Sequence, residues 1–333
     1  MNPPREVLDR YPALTRSAAR FLGNRGGFSG ALLWRVESAE GEVCLKAWPA
    51  DGMAAARLTG IHHWLGVARQ ASIDFVPRVL PASGGSTVVV SDGRPWDCSM
   101  WLPGVADFHD HPTAARLRAA GAALARLHNA WQNQRPRTGP APVIRRRLDN
   151  LRDWQALLAG GWKPIMTAND PVRPWAERAW RLLPQAARRA ERALGDWRDV
   201  PLTLHPCWCD PWHDHVLFGG DRVSGLIDYG AVKEDHAAVD LSRMLGSLAG
   251  DDAAAWEIAL AAYRALRPLS DREAALAMVL EHAGLVNALA TWLRWLYHDG
   301  RVFEDSVAIA KRLELMVARL DNDLAAQRPF GVF

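Results

Sequence analysis

The segment from Cys209 to Gly230, C-D-P-W-H-D-H-V-L-F-G-G-D-R-V-S-G-L-I-D-Y-G, carries the densest set of chemically capable side chains in the sequence. Asp210 stands in a loop before one short strand-like run, His215 to Phe218, and Asp228 ends the next, Val223 to Asp228, across a G-G-D-R turn. A tight hairpin sets the ends of its strands side by side, so Asp210, His215 and Asp228 are expected to converge on one small volume. Phosphoryl transfer needs such a set. One carboxylate orients or deprotonates an attacking hydroxyl, while other ligands hold a divalent metal that bridges phosphates. The plainer alternative is two surface aspartates flanking an ordinary hairpin.

Two segments near the start could serve the same chemistry. G-N-R-G-G-F-S-G, from Gly23 to Gly30, is rich in the one residue that lets backbone N–H groups approach a phosphate without a Cβ clash. Gly26, Gly27, Ser29 and Gly30 are the candidate lining, although a glycine cluster can also be a plain turn. Lys46 ends the apolar run V-C-L-K, where a lysine is costly unless it meets an anion or faces outward. Lysine occurs only at 46, 163, 233 and 311, against an arginine-rich background, which adds weight to its placement here. Lys46 could meet Asp228 or a phosphate directly, with His62 or His63 nearby.

A competing reading uses His205, Cys207, Cys209, His213 and His215, five metal-capable residues within eleven positions. They could bind zinc, but the paired C-x-x-C spacing usual for zinc is missing, and strand alternation would place Cys207 and Cys209 on one face as small buried hydrophobes.

The elements that must position these residues fall into two blocks. The first hundred residues read as strands and turns: Ala31 to Glu37, Glu42 to Trp48, Pro77 to Leu80, Thr87 to Ser91 and Trp96 to Trp101. Among them, Met53 to Arg69 reads as a helix with Leu58, Ile61, His62, Leu65 and Ala68 near one face. After Leu102-Pro103-Gly104 helices dominate: Thr113 to Trp131 with Thr113 as cap, Ile144 to Leu158, and Trp175 to Leu194 interrupted at Pro184. A strand-rich island from Pro201 to Asp228 holds the hairpin, and helices return from about Ala237. The order predicts an α+β fold in two lobes, residues 1–101 and 106–333, joined by a linker at 102–105.

Composition narrows the classes. The 333 residues carry a net charge of +3, too small to argue for nucleic acid or an anionic membrane surface. Four cysteines without a regular framework suit a reduced, cytoplasmic setting, and neither a signal-peptide core nor an uninterrupted membrane-length apolar run is read from the sequence. The tryptophans at 64, 154, 162, 175, 180, 292 and 295 are expected to pack within the fold.

The Cys209–Gly230 segment resembles the catalytic loop and D-F-G motif of the aminoglycoside phosphotransferase and choline kinase superfamily, protein-kinase-like enzymes that read H-G-D-x-x-x-x-N-V-L-F, a turn, then G-x-I-D-F/W-G. The resemblance implies a two-lobe fold with a β-rich N-lobe and a helical C-lobe, ATP or another nucleoside triphosphate with Mg2+ or Mn2+, and a small-molecule hydroxyl acceptor. By position Asp210 resembles the catalytic base, Asp228 the metal-binding aspartate, and Asp240, in A-V-D-L-S-R, the aspartate that braces the catalytic loop. The glycine segment resembles the nucleotide-covering loop, Lys46 the phosphate-binding lysine, and Met100 to Gly104 the linker whose backbone, at Met100 and Leu102, would meet adenine. Leu127 and His128 resemble the first C-lobe helix, with His128 as a packing residue. Two positions depart from the pattern: His215 stands where the family has asparagine, and Trp208 where it has histidine. With no glutamate to partner Lys46, these departures leave open a nucleotide-binding relative that transfers nothing.

Overall fold

The computed structural model describes residues 1–14, 18–24, 30–132, 137–303 and 305–325. Two compact units emerge, one formed by residues 1–134, 210–233 and 261–267, the other by 135–209, 234–260 and 268–333.

The first unit is built on a five-stranded antiparallel sheet: β1 (Ala19–Gly23), β2 (Leu32–Ser38), β3 (Gly41–Ala47), β4 (Val88–Ser91) and β5 (Arg94–Met100), ordered β1-β2-β3-β5-β4. Alternation decides its two faces. Val43, Leu45 and Ala47 of β3 have no exposed surface, and Trp96 and Cys98 of β5 join them in a core with Val7, Tyr11, Leu14, Trp34 and Val36. The intervening Cys44 and Lys46 therefore point to the opposite face, together with Asp97. Helix α2 (Ala55–Gln70), preceded by the short α1 (Arg5–Arg10), buries Leu58, Ile61, His62, Leu65 and Ala68, the face its periodicity predicts.

The expected strand at Pro77–Leu80 is reduced to one bridge, Val79 to Ser99, with Leu80 N–H donating to Cys98 O (2.8 Å) and Met100 N–H to Arg78 O (2.9 Å). Pro77 and Pro81 at its ends have no N–H to extend the ladder.

The hairpin β8 (Val216–Gly219) and β9 (Arg222–Leu226) belongs to this unit and is stitched to residues before the helical block. Val105 and Phe218 exchange backbone hydrogen bonds of 3.0 and 2.8 Å, Ser224 Oγ donates to Pro103 O at 2.7 Å, and Leu226 N–H donates to Phe75 O at 2.7 Å. Gly104, at φ +102°, sits where a Cβ would fall 2.1 Å from Ser224 Oγ and 2.7 Å from Phe218 O, so no side chain fits. Helix α3 (Ala114–Gln132) is capped by Thr113, whose Oγ1 accepts the Arg116 N–H at 3.1 Å. Buried His128 on α3 bonds Tyr263 Oη at 2.8 Å, which ties residues 261–267 to the same unit.

The second unit is mainly helical: α4 (Pro142–Ala159), α5 (Arg173–Gly195), α6 (Ala238–Ala249), α8 (Asp271–Tyr297) and its neighbour α9 (Ser306–Ala325), with α7 (Ala253–Arg264) leading back to the first unit. A small sheet of β6 (Arg137–Gly139), β7 (Leu202–Cys207) and β10 (Lys233–Asp235) completes it, ordered β10-β7-β6.

Helix α5 runs straight through Pro184, where an interruption is expected from sequence. Its buried stripe, Ala176, Ala179, Leu183, Ala186, Ala187, Ala190 and Leu194, continues on both sides of the proline. Burial of that stripe outweighs the roughly 3 kcal/mol a helix-interior proline costs. Trp154, Trp162 and Trp180 pack edge-to-face with ring centroids 5.6–5.9 Å apart, as packing residues do. Among the described residues, α8 alone is long and apolar enough to cross a membrane by length and composition, yet 61% of its most apolar window is buried inside the fold.

Helix α8 begins with a capping box: Ser270 Oγ accepts the Glu273 N–H and the Glu273 carboxylate accepts the Ser270 N–H. The same carboxylate takes a 3.1 Å bond from His236, and these bonds lower its pKa from 4.5 to about 2. A depressed folded-state pKa contributes stability that is complete above 4.5 and disappears as the pH falls towards 2. Glu273→Gln should therefore lose about 1–3 kcal/mol at pH 5, with the gap to the parent closing by pH 2, as read by urea melts across that range.

Candidate active site

Lys46 and Asp228, 182 residues apart, meet at 3.0 Å between Nζ and Oδ1. The lysine lies on the α2 side of the sheet, its ammonium 3.8 Å from the Trp48 ring centroid, and Asp228 follows β9 in the D-Y-G turn. Trp48 also packs so closely on this turn that a Cβ at Gly230 would fall 2.8 Å from its ring, while Arg57 Nη2 donates to Gly230 O at 3.1 Å. The glycine of D-Y-G is thus required by contact. Partial burial pushes the Asp228 carboxyl up, but the Lys46 ammonium, His215 and the Gly230 N–H outweigh it and hold the group below the usual carboxylate range.

His215 joins the same group. Its Nδ1 lies 2.9 Å from the Asp210 carbonyl oxygen, and its Nε2 lies 3.7 Å from Asp228 Oδ2. A carbonyl only accepts, so Nδ1 donates to it, which turns Nε2 towards Asp228 as the nitrogen that would face a metal. A carboxylate oxygen and an imidazole nitrogen facing one space are a workable ligand pair for a divalent ion. Manganese tolerates nitrogen more readily than magnesium does. The residues present therefore fit a divalent cation.

Asp210 is partly buried in the same unit, its backbone fixed to His215. In the second unit, fully buried Asp240 on α6 accepts the backbone N–H groups of Trp208 (2.7 Å) and Cys209 (2.5 Å) and so fixes the chain entering Asp210. Backbone strain concentrates here. Of four described non-glycine residues at positive φ, two are Cys209 (+67°) and Asp228 (+59°), a conformation that persists only where neighbours enforce it.

The remaining candidates divide. Gly30 is described at φ +70°, beside Pro49; Gly26, Gly27 and Ser29 lie outside the described residues. Met100 ends β5 opposite Val43, and Leu102 packs on the hairpin, where a Cβ at Gly225 would fall 3.1 Å from it. Of the cysteine and histidine cluster, His205 and Cys207 are buried in β7, with the thiol facing the His205 and Asp235 carbonyls at 3.4 Å each. Among the described residues those five do not bring three ligand atoms within 4.8 Å of one another.

Sequence reasoning left out Asp97 and Trp48. Asp97 stands directly opposite Lys46 in the β3–β5 register, bonded by Trp48 Nε1 at 2.9 Å and His62 Nε2 at 3.1 Å. Alternation along R-P-W-D-C-S-M could mark Asp97 as facing away from the core, but the pairing of two strands about fifty residues apart is not written in either.

Residues 20–277 match the family described as "Phosphotransferase enzyme family", and the chain belongs to it. Its fold is the kinase-like α+β fold of that family. Among curated relatives, homoserine kinase of Allorhizobium ampelinum is 30% identical over 227 residues, 65% of this chain and 63% of that protein. The chain thus matches somewhat less than two thirds of that relative's length. Among solved structures, the microcompartment-associated aminopropanol kinase superposes with a TM-score of 0.67 at 18% identity, over 98% of each chain. Spectinomycin phosphotransferase, in complex with ADP and spectinomycin, superposes at 0.66 with 10% identity, over 96% of this chain and 98% of that one.

Proposed function

We propose that this protein transfers the γ-phosphoryl group of ATP, with Mg2+ or Mn2+, to a hydroxyl of a small molecule in the cytoplasm. The observation that carries the reading is the 3.0 Å pairing of a strand lysine with the D-Y-G carboxylate, with His215 Nε2 turned to the same carboxylate. Family membership and a neighbour solved with ADP support the nucleotide, and four free cysteines suit a reducing compartment.

Each residue then has a task. Lys46 would neutralise α/β-phosphate oxygens, the segment 26–30 would cover them, and the backbone at Met100 and Leu102 would meet the adenine edge. Asp228 and His215 would hold the divalent ion, which supplies charge neutralisation and in-line alignment of the phosphates when bound. Asp210 would accept a hydrogen bond from the acceptor hydroxyl, fix its direction of attack and take its proton. Asp240 would keep that loop in place. Residues 1–101 would act as the nucleotide lobe, 102–105 as the linker and 106–333 as the acceptor lobe.

A short amino-bearing alcohol is the acceptor class we favour. Homoserine comes first, because the homoserine kinases share more sequence with this chain than the structural neighbours do. The decisive experiment is acceptor-dependent ADP release with ATP and either metal, across homoserine, aminopropanol and spectinomycin. Turnover with an amino alcohol is the expected result. Nucleotide-induced thermal stabilisation without turnover for any acceptor or metal would overturn transfer and leave a nucleotide-binding protein.

A further inference from the structure

Two demands meet at the Asp228 carboxylate. Lys46 is paired with Asp228, yet a metal-bound nucleotide would draw that carboxylate to the ion, and α2 presents His62 instead of a glutamate to receive the ammonium. A carboxylate nonetheless stands on the correct face. Asp97 and Lys46 are direct cross-strand partners on the side of the sheet away from the core, and paired side chains of an antiparallel ladder lie side by side.

Asp97 is also held for a purpose its own strand does not need. Its Oδ1 takes the Trp48 indole N–H at 2.9 Å, and its Oδ2 takes His62 Nε2 at 3.1 Å, while His62 Nδ1 is fixed by Thr87 Oγ1 at 2.8 Å. The side chains of Asp97 and His62 are only 15% and 4% exposed. The same Trp48 whose indole N–H orients Asp97 offers its ring face to the Lys46 ammonium, so the ammonium and the carboxylate share one platform. Burial pushes the nearby Cys44 thiol up to about 12, with Asp97 adding to the rise and Lys46 opposing it, as expected if all three face one space.

We propose that Asp97, oriented by His62 and Trp48, is a second seat for the Lys46 ammonium, taking it over when Asp228 engages a metal-bound nucleotide. The strand carboxylate thereby does the positioning that a helix glutamate does in the wider kinase-like fold. The handover rests on the phosphotransferase reading; the existence of the seat does not.

Thermal melts of the full chain test the seat without nucleotide. Asp97→Asn keeps an oxygen for the indole and removes the charge, and Asp228→Asn frees Lys46 from its first partner. The expected result is that Asp97→Asn lowers the melting temperature by about 2–4 °C more in the Asp228→Asn background than in the parent. Lys46→Met in the Asp228→Asn background should lower it too, by stranding Asp97, and this arm needs no change at Asp97 should that variant fold poorly. Equal losses in both backgrounds, or a Lys46→Met change that costs nothing, overturn the seat. Kinetics test the handover. Asp97→Asn should raise the nucleotide KM about tenfold with kcat held within about threefold, and an unchanged KM overturns it. A parent that phosphorylates no acceptor sinks the proposed function, while the melts still decide the seat.

Discussion

Asp210→Asn should reduce kcat by about 10²–10⁴-fold, the range a positioned acid–base group contributes, while ADP affinity stays at the parental value. The selectivity of that loss follows from how the loop is held. Its backbone is fixed by the Asp210 carbonyl to His215 and by the Asp240 carboxylate to the N–H groups of Trp208 and Cys209. None of these bonds uses the Asp210 side chain. Asparagine keeps its volume and can still contact a hydroxyl, but it cannot take up the proton. Single-turnover assays, calorimetric ADP titration and a thermal melt separate the outcomes, and a variant with parental turnover would remove Asp210 from the chemistry.

The second large effect belongs to Asp228→Asn. Asparagine is among the few residues that tolerate the left-handed backbone at +59°, so the turn should survive. What disappears is the charge that holds Lys46 and would hold the cation. Changing the partner of a metal ligand typically costs 10–100-fold in affinity, and loss of the ligand charge itself should cost at least that much. Manganese binding in the presence of ADP, followed by electron paramagnetic resonance, is the direct measurement. Unchanged metal affinity would place the cation elsewhere and void the assignments of Asp228 and His215 together.

Legibility from sequence followed the range of the interactions. The approach of His215 to Asp228 could be read because the two ends of one hairpin with a short turn bring them together, and local turn chemistry is written in consecutive residues. Lys46 could be read from the anomaly of a charge in an apolar run. The face of α2 was visible because its periodicity is strict, and all five residues assigned to it are buried. The link between Lys46 and Asp97 was not visible. It depends on β3 pairing with β5 in one register, a choice made by the whole sheet. Pro184 misled for a related reason: its local cost is fixed, but the burial that overrides it comes from the stripe along the rest of the helix. Histidine at 215 departs from the expected asparagine, and only the bond from its Nδ1 to the Asp210 carbonyl shows which nitrogen is turned to Asp228.

The unit containing Lys46 is drawn from three stretches of chain, residues 1–134, 210–233 and 261–267. On a ribosome adding about 5–20 residues per second, its first stretch emerges several seconds before the hairpin that packs onto it. During that interval Trp48 lacks the Gly230 turn, Gly104 lacks Ser224, and Lys46 lacks Asp228, so these surfaces stay uncovered in the nascent protein. Translation speed across residues 135–233 therefore sets how long the newborn sheet must be shielded from aggregation.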